Sequence, residues 1–323
     1  MTQNASHDTL VVHTINHLHG LINENSKNNI LNISNQFAGI PQGGFEIHLG
    51  SNGKVDFTVA IKTDNTEAVN KIFNAQPKLL KSEGTQGPAG LNSVKNVLNY
   101  WFEYDTGTEN FNSTPALFLD LHQAHVHILN NANAGIGYWQ QHLNNLIAAV
   151  GTPHHTQENI AAMQHAISLA TGAGYPGYVG IMKSRGDDLR LVVEVLNTCK
   201  LVPYIQNMGL SLQPQAESVI NELLALSDLA DIGFQFENGK ALDAYGIGLF
   251  ISKADGQDMA EQMMLGKLIN LGLCSADEAE MILNWNKTSD DFRHKISHFK
   301  VSVNKGAITG AKVYLQYNYN KNN

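Results

Sequence analysis

Ten strand-like segments grouped as five hairpins constrain this chain more than any other feature of its sequence. The pairs cover residues 45–50 with 54–62, 99–105 with 115–122, 178–183 with 189–196, 231–237 with 243–252, and 298–304 with 310–319. Helical signals flank each pair, so the chain reads as a supersecondary unit of helix, strand, strand, helix repeated five times. A repeat of this kind outranks any local motif in fixing a fold. The connections are short, as in Ser51-Asn52-Gly53 and Asn238-Gly239-Lys240, so partner strands must run antiparallel.

Alternation divides each strand into two faces. Val313, Leu315 and Tyr317 point one way and Lys312, Tyr314 and Gln316 the other; Leu189, Leu191, Val193 and Val195 oppose Arg190, Val192 and Glu194. Helices need an apolar surface to cover, so the Val/Leu face meets them and the polar face looks inward. The fold class expected is α+β, a closed ten-stranded antiparallel barrel of five αββα repeats with helices outside. Ten strands leave a lumen that side chains alone do not fill.

No Pro/Ser-rich linker interrupts the 323 residues, which predicts one domain over 1–323. A net charge of −8 without a Lys/Arg run argues against a nucleic-acid or anionic-membrane surface. No apolar stretch is long enough for a membrane helix, and the polar opening Met1 to Asp8 does not read as a signal peptide. A cytoplasmic protein is expected. Cys199 and Cys274 each follow an apolar segment and are read as buried, reduced thiols.

Helix punctuation is consistent with the repeat. Thr63-Asp64 opens a segment with Val69, Ile72 and Phe73 on one face, Ser275 and Glu278 have the capping-box spacing, and Gly209 and Gly272 sit where glycine ends helices. His13 and His17 lie four apart near the start without a carboxylate motif, and read as an ordinary helical pair. Arg185-Gly186-Asp187 reads as a turn between two strands. The glycine-rich stretch from Gly84 to Gly90 lacks a following Lys-Ser/Thr and reads as a loop, so no nucleotide cofactor is expected.

The inward set carries the chemistry. Regular pairing across Ser51-Asn52-Gly53 places His48 opposite Asp56 and Glu46 opposite Thr58. Trp101, Glu103 and Asp105 share a face, as do Asp120 and His122. Histidines and carboxylates converging in a large cavity suit general acid/base catalysis or a hard-metal or zinc site. The alternative is a hydrated lumen whose charges only pair, Glu194 with Arg190 or Lys300 with Glu237.

Five αββα units resemble the ABBA prenyltransferases, whose fold is called the PT barrel and which include indole and cyanobactin-type peptide prenyltransferases. The closing strand, Ala311-Lys312-Val313-Tyr314-Leu315, is similar to their Lys-x-Tyr signature, and Glu46 stands on the first strand, where such enzymes carry a general base. The resemblance implies transfer of an allylic group from an isoprenyl diphosphate to an aromatic or peptide side-chain acceptor. Arg190, Lys300 and Lys312 would hold the diphosphate, Tyr314 and Tyr245 would shield the allylic cation, Trp101 would line the substrate site, and Glu46 with His48 would handle the proton. Inward aspartates oppose such a donor, because a like charge about 5 Å from a phosphate costs roughly 3 kcal/mol at an effective dielectric near 20. Mg²⁺ bridging the diphosphate to Asp56, Glu103, Asp120 and His122 would offset this. Two other readings stay open: a peptide-modifying enzyme using a metal or acid/base site in the same barrel, and a barrel that binds a peptide or small molecule without catalysis.

Overall fold

Every predicted strand pair forms a hairpin in the computed structural model, which describes residues 7–18, 20–37, 42–75, 98–107, 114–121, 144, 156–251, 257–285 and 292–319. The strands are β1 (Gln42–His48), β2 (Val55–Lys62), β3 (Asn99–Tyr104), β4 (Ala116–Asp120), β5 (Gly174–Met182), β6 (Asp188–Val195), β7 (Leu229–Glu237), β8 (Lys240–Phe250), β9 (Phe292–Asn304) and β10 (Ala307–Tyr319). Each pairs antiparallel with its neighbours in sequence, and β1 pairs with β10 through Phe45 to Leu315 and His48 to Lys312. The sheet closes, which removes the exposed edges an open sheet would leave.

Two turns show how local sequence sets the register. Asn238 and Gly239 (φ 50° and 75°) join Glu237 to Lys240, and Lys305 and Gly306 (φ 49° and 77°) join Asn304 to Ala307. Two successive left-handed residues make the tight turn whose twist matches that of the flanking strands. The first hairpin differs from the expected pairing. Glu46 stands opposite Asp56 and Gly44 opposite Thr58, because the ladder closes with His48 N–H on the Lys54 carbonyl (3.0 Å), which lengthens the loop from 51–53 to 49–53.

The core is a layer between barrel and helices. Outward residues such as Phe57, Phe102, Leu191, Ile247, Val301 and Leu315 form one buried cluster with helical Ile15, Ile30, Phe73, Met163, Ile220 and Leu268. At about 25 cal/mol per Å² of apolar surface, this layer is the main stabilising term. The helix expected after Thr63 runs Thr66–Ala75, and Ser275 and Glu278 make the full capping box on Ala276–Leu283. Gly209 and Gly272 take φ of 71° and 70° after their helices. Cys274 is buried as expected; Cys199 is exposed, because it lies in the short turn Thr198–Lys200 and not on the covered strand face. His17 turns edge-on to the His294 ring, 5.7 Å away. The stretch from Gly84 to Gly90 lies outside the described residues, and among those described no helix is long and apolar enough to cross a membrane.

Candidate active site in the barrel lumen

Even-numbered positions on β1, β2, β6 and β10 face the lumen, and with them come two adjoining cavities of different character. One, of about 150 Å³, is walled by Trp101, Phe118, Tyr178, Val192, Phe250, His298 and Tyr314. The other, of about 290 Å³, lies toward the hairpin end and is lined by Gln235, Ser302, Asn304, Thr309 and Lys312. Arg190, Gly233 and Lys300 border both. An aromatic chamber therefore opens onto a polar, cationic one.

Glycines make the shared wall possible. A Cβ at Gly246 would collide with Lys300 Cε, one at Gly248 with Asp231 Oδ1, and one at Gly233 would sit 3.1 Å from Arg190 Nη2. These three inward positions on β7 and β8 carry no side chain so that long charged chains from β6, β7 and β9 can lie across them. A bulge shapes the adjacent wall, between β9 and β10. Tyr314 pairs with His298 but Leu315 with Ile296, so both Ser297 and His298 face the chamber. His298 is stacked between Phe250 (4.4 Å, 25°) and Tyr314 (4.0 Å, 16°). Burial and then the Lys300 charge push its pKa down to about 3, so at neutral pH it is an uncharged aromatic plate.

The charges fall into three groups. Lys312 bonds Glu46, His48 Nε2 lies 2.7 Å from Asp56 Oδ2 and 3.8 Å from Glu46 Oε1, and Arg185 Nη2 reaches Glu103 (3.0 Å) and Asp56 (3.5 Å). Arg185 also bonds Asp105, with Nε 3.0 Å from both carboxylate oxygens. Burial alone would raise the Glu46 pKa, but Lys312, Lys300 and His48 outweigh it and hold the group well below the carboxylate range. Burial, then the Glu46 charge, raises Glu103. The second group is cationic: Lys300 donates to Tyr314 Oη (3.2 Å), and burial followed by the Arg190 charge lowers its pKa to about 8. Arg190 itself has a buried Nε with no hydrogen-bond partner and, among the described residues, forms no salt bridge. The third group, at the far end, holds Asp231, Glu194 and Asp120. Burial raises the Asp231 pKa to about 6, while its Oδ1 accepts from Gly248 N–H (3.0 Å).

The structure thus brings together Glu46, His48, Asp56, Glu103, Arg190, Lys300, Lys312 and Tyr314, with Trp101 in the chamber wall. It separates others. Asp120 does not join Asp56 and Glu103: β4 runs away from the hairpin end, and Asp120 accepts instead from Asn99 Nδ2 (2.9 Å). Tyr245 points outward into the helix-covered layer and donates to the Ser211 carbonyl (2.8 Å), since the inward positions of β8 are Gly246 and Gly248. His122 lies outside the described residues. Of the charge pairs expected of a hydrated lumen, the two named, Glu194 with Arg190 and Lys300 with Glu237, do not form: Glu194 accepts from Tyr175 Oη (2.5 Å), and Glu237 sits exposed at the β7–β8 turn. Alternation did not single out Arg185, Tyr178, Asp231 or His298.

No family model matches the sequence, and no curated protein sequence matches it. Solved structures do. PriB bound to L-tryptophan and dimethylallyl thiolodiphosphate is 10% identical, aligns over 96% of this chain and 94% of its own, and gives a TM-score of 0.59. The 5-dimethylallyl tryptophan synthase of Streptomyces coelicolor, with DMASPP and Trp, is 10% identical over 97% and 95% with a TM-score of 0.57. The NotF prenyltransferase is 10% identical over 98% and 95%, at 0.58. The fold is the PT barrel. Whether Mg²⁺ suits this PT barrel is decided by its carboxylates. Ligand atoms of Glu46, His48 and Asp56, and of Asp56, Glu103 and Asp105, lie within 4.8 Å of one another, so the donors are close enough. Lys312 and Arg185 already stand among them as bonded cations, and Mg²⁺, which keeps several waters and demands octahedral oxygen ligation, does not fit that arrangement.

Proposed function

We propose that this chain is an aromatic prenyltransferase that moves an allylic group from an isoprenyl diphosphate to an aromatic ring, free or carried on a peptide, inside the barrel. The observation that carries the reading is Arg190, a guanidinium without a salt-bridge partner among the described residues, set beside Lys300 where a cationic chamber meets an aromatic one. Arg190 is half-buried, and its buried Nε without a partner is costly; an anionic ligand that repays that cost is the natural counterpart. The diphosphate takes Arg190, Lys300 and Lys312, and the allyl chain enters the chamber of Trp101, Phe118, Tyr178, Phe250 and Tyr314.

The C–O bond to the diphosphate breaks, the electron pair leaves with the phosphate oxygen, and the cations neutralise the charge that develops there. The allylic cation is held by the surrounding ring faces at roughly 0.5–2 kcal/mol per ring. The acceptor ring then forms the new C–C bond and loses a proton. Glu103 lines the chamber and has the raised proton affinity, whereas Glu46 is not among the lining residues and is bonded to Lys312. In this reading Glu103 accepts the proton and Glu46 positions Lys312. Organic cations do the work of a metal, so no Mg²⁺ is needed. The exposed, unpaired Cys199 suits a reducing, cytoplasmic setting.

The test is incubation with dimethylallyl or geranyl diphosphate and a panel of indoles, phenols, and Trp- or Tyr-containing peptides, read by chromatography and mass spectrometry. One acceptor gaining one prenyl unit without added metal is expected. Transfer that requires a divalent cation, or donor left intact with every acceptor, contradicts the reading.

A further inference from the structure

Arg185 belongs to no strand and to none of the steps above, yet it makes ionic contacts with three carboxylates, Asp56, Glu103 and Asp105. It ends the short 3-10 turn Lys183–Arg185 between β5 and β6. The next two residues, Gly186 (φ 88°) and Asp187 (φ 66°), are both left-handed, and Asp187 is fixed by Lys183 (3.0 Å) and by its own N–H on the Met182 carbonyl (3.0 Å). From this sharp reversal the Arg185 side chain reaches carboxylates on β2, on β3 and at the residue just after β3.

There it meets Asp56, Glu103 and Asp105, whose ligating oxygens lie within 4.8 Å of one another. Asp56 is fully buried, and its Oδ1 has no hydrogen-bond partner. Three carboxylates converging at this spacing, one of them with an unsatisfied buried oxygen, are the donor set a hard divalent cation takes. One guanidinium occupies their centre and leaves them under-compensated.

We infer that Arg185 is a tethered substitute for a divalent metal ion, filling a carboxylate site that would otherwise bind one. The inference does not rest on the prenyl reading, because it concerns what holds these acids together whatever the barrel transforms. It has a consequence inside the lumen. Arg185, Asp56, His48, Glu46 and Lys312 form a chain of contacts, so the cation at one end helps to fix the lysine at the other.

The experiment uses the full chain with Arg185→Ala and Arg185→Gln, the second keeping bulk without charge. Mn²⁺ binding is followed by the loss of the free-ion paramagnetic resonance signal, and melting temperature is measured with and without about 5 mM Mn²⁺ or about 100 mM guanidinium, concentrations low enough that a rise reports binding to the native state. The unmodified protein should take up no Mn²⁺. Both variants should melt lower, bind one Mn²⁺ per chain, and regain melting temperature with Mn²⁺ or guanidinium, and a further Asp105→Asn change should abolish the Mn²⁺ uptake. The inference is overturned if neither variant binds Mn²⁺ and neither additive raises its melting temperature. It is equally overturned if unmodified protein binds one Mn²⁺ that Asp105→Asn removes.

Discussion

Replacing Arg190 by Leu should make the protein more stable and less able to bind a diphosphate. The guanidinium has a buried Nε with no partner and, among the described residues, no salt bridge, and its charge contributes to lowering Lys300. An unsatisfied buried donor costs about 1–3 kcal/mol. Leucine removes that cost and keeps much of the apolar stem, so a net gain of about 1–2 kcal/mol is expected, equivalent for a chain of this length to a rise of roughly 1.5–3 °C in Tm. Binding moves the other way. Two charge-assisted contacts to phosphate oxygens, at roughly 1.5–3 kcal/mol each, imply a loss of at least about 100-fold in affinity. The assay is differential scanning calorimetry of both proteins, followed by titration with inorganic diphosphate in metal-free buffer. Lys312→Ala is the control, since it strips the partner from buried Glu46 and should lower both stability and affinity. If Arg190→Leu melts lower and binds diphosphate unchanged, Arg190 is a structural cation and the reasoning fails.

Other outcomes follow from the same charges. Lys300 has a folded pKa of about 8 against an ordinary 10.5, so diphosphate affinity should fall as pH rises through 8, and binding near pH 9 should take up about one proton, measurable by calorimetry in buffers of differing ionisation enthalpy. Asp231 has a folded pKa of about 6 against an ordinary 3.8, so its charged form is penalised and the protein should lose stability as pH rises from about 4 to 6. Asp231→Asn, which can still accept from Gly248 N–H, should remove that loss and stabilise the protein at pH 7 by on the order of 2–3 kcal/mol in chemical denaturation. Glu103→Gln should reduce kcat about 10²–10⁴-fold with diphosphate affinity little changed, and should remove an acid limb that lies above the usual carboxylate pKa. Glu46→Gln should chiefly weaken diphosphate binding by releasing Lys312.

The barrel was legible because ten strands with one apolar face leave few ways to bury it. Leu189 to Val195 and Val313 to Tyr317 announce their outward side unaided, and that fixed Arg190, Lys312 and Tyr314 as inward. Legibility stopped where a face has no side chains to read. The lumen side of β8 is Gly246 and Gly248, so nothing in the pattern showed that Tyr245 lies on the other side. His298 enters the chamber wall through a bulge, and a one-residue insertion in a strand has no period. Arg185 lies in a turn, where alternation says nothing; what marked it was Gly-Asp following at two left-handed positions. Asp120 shared a strand face with the site but not a height along the barrel, and strand direction, not composition, decides height.

The proposed function requires that the two chambers accept one allylic diphosphate without metal. Titration calorimetry of the unmodified protein with dimethylallyl thiolodiphosphate, in buffer freed of divalent cations, tests it most directly. One site per chain is predicted, with a Kd of roughly 1–100 μM, or about −8 to −5.5 kcal/mol, lost in Arg190→Leu. Absence of binding at millimolar donor, or binding that Arg190→Leu leaves unchanged, would contradict the proposed function.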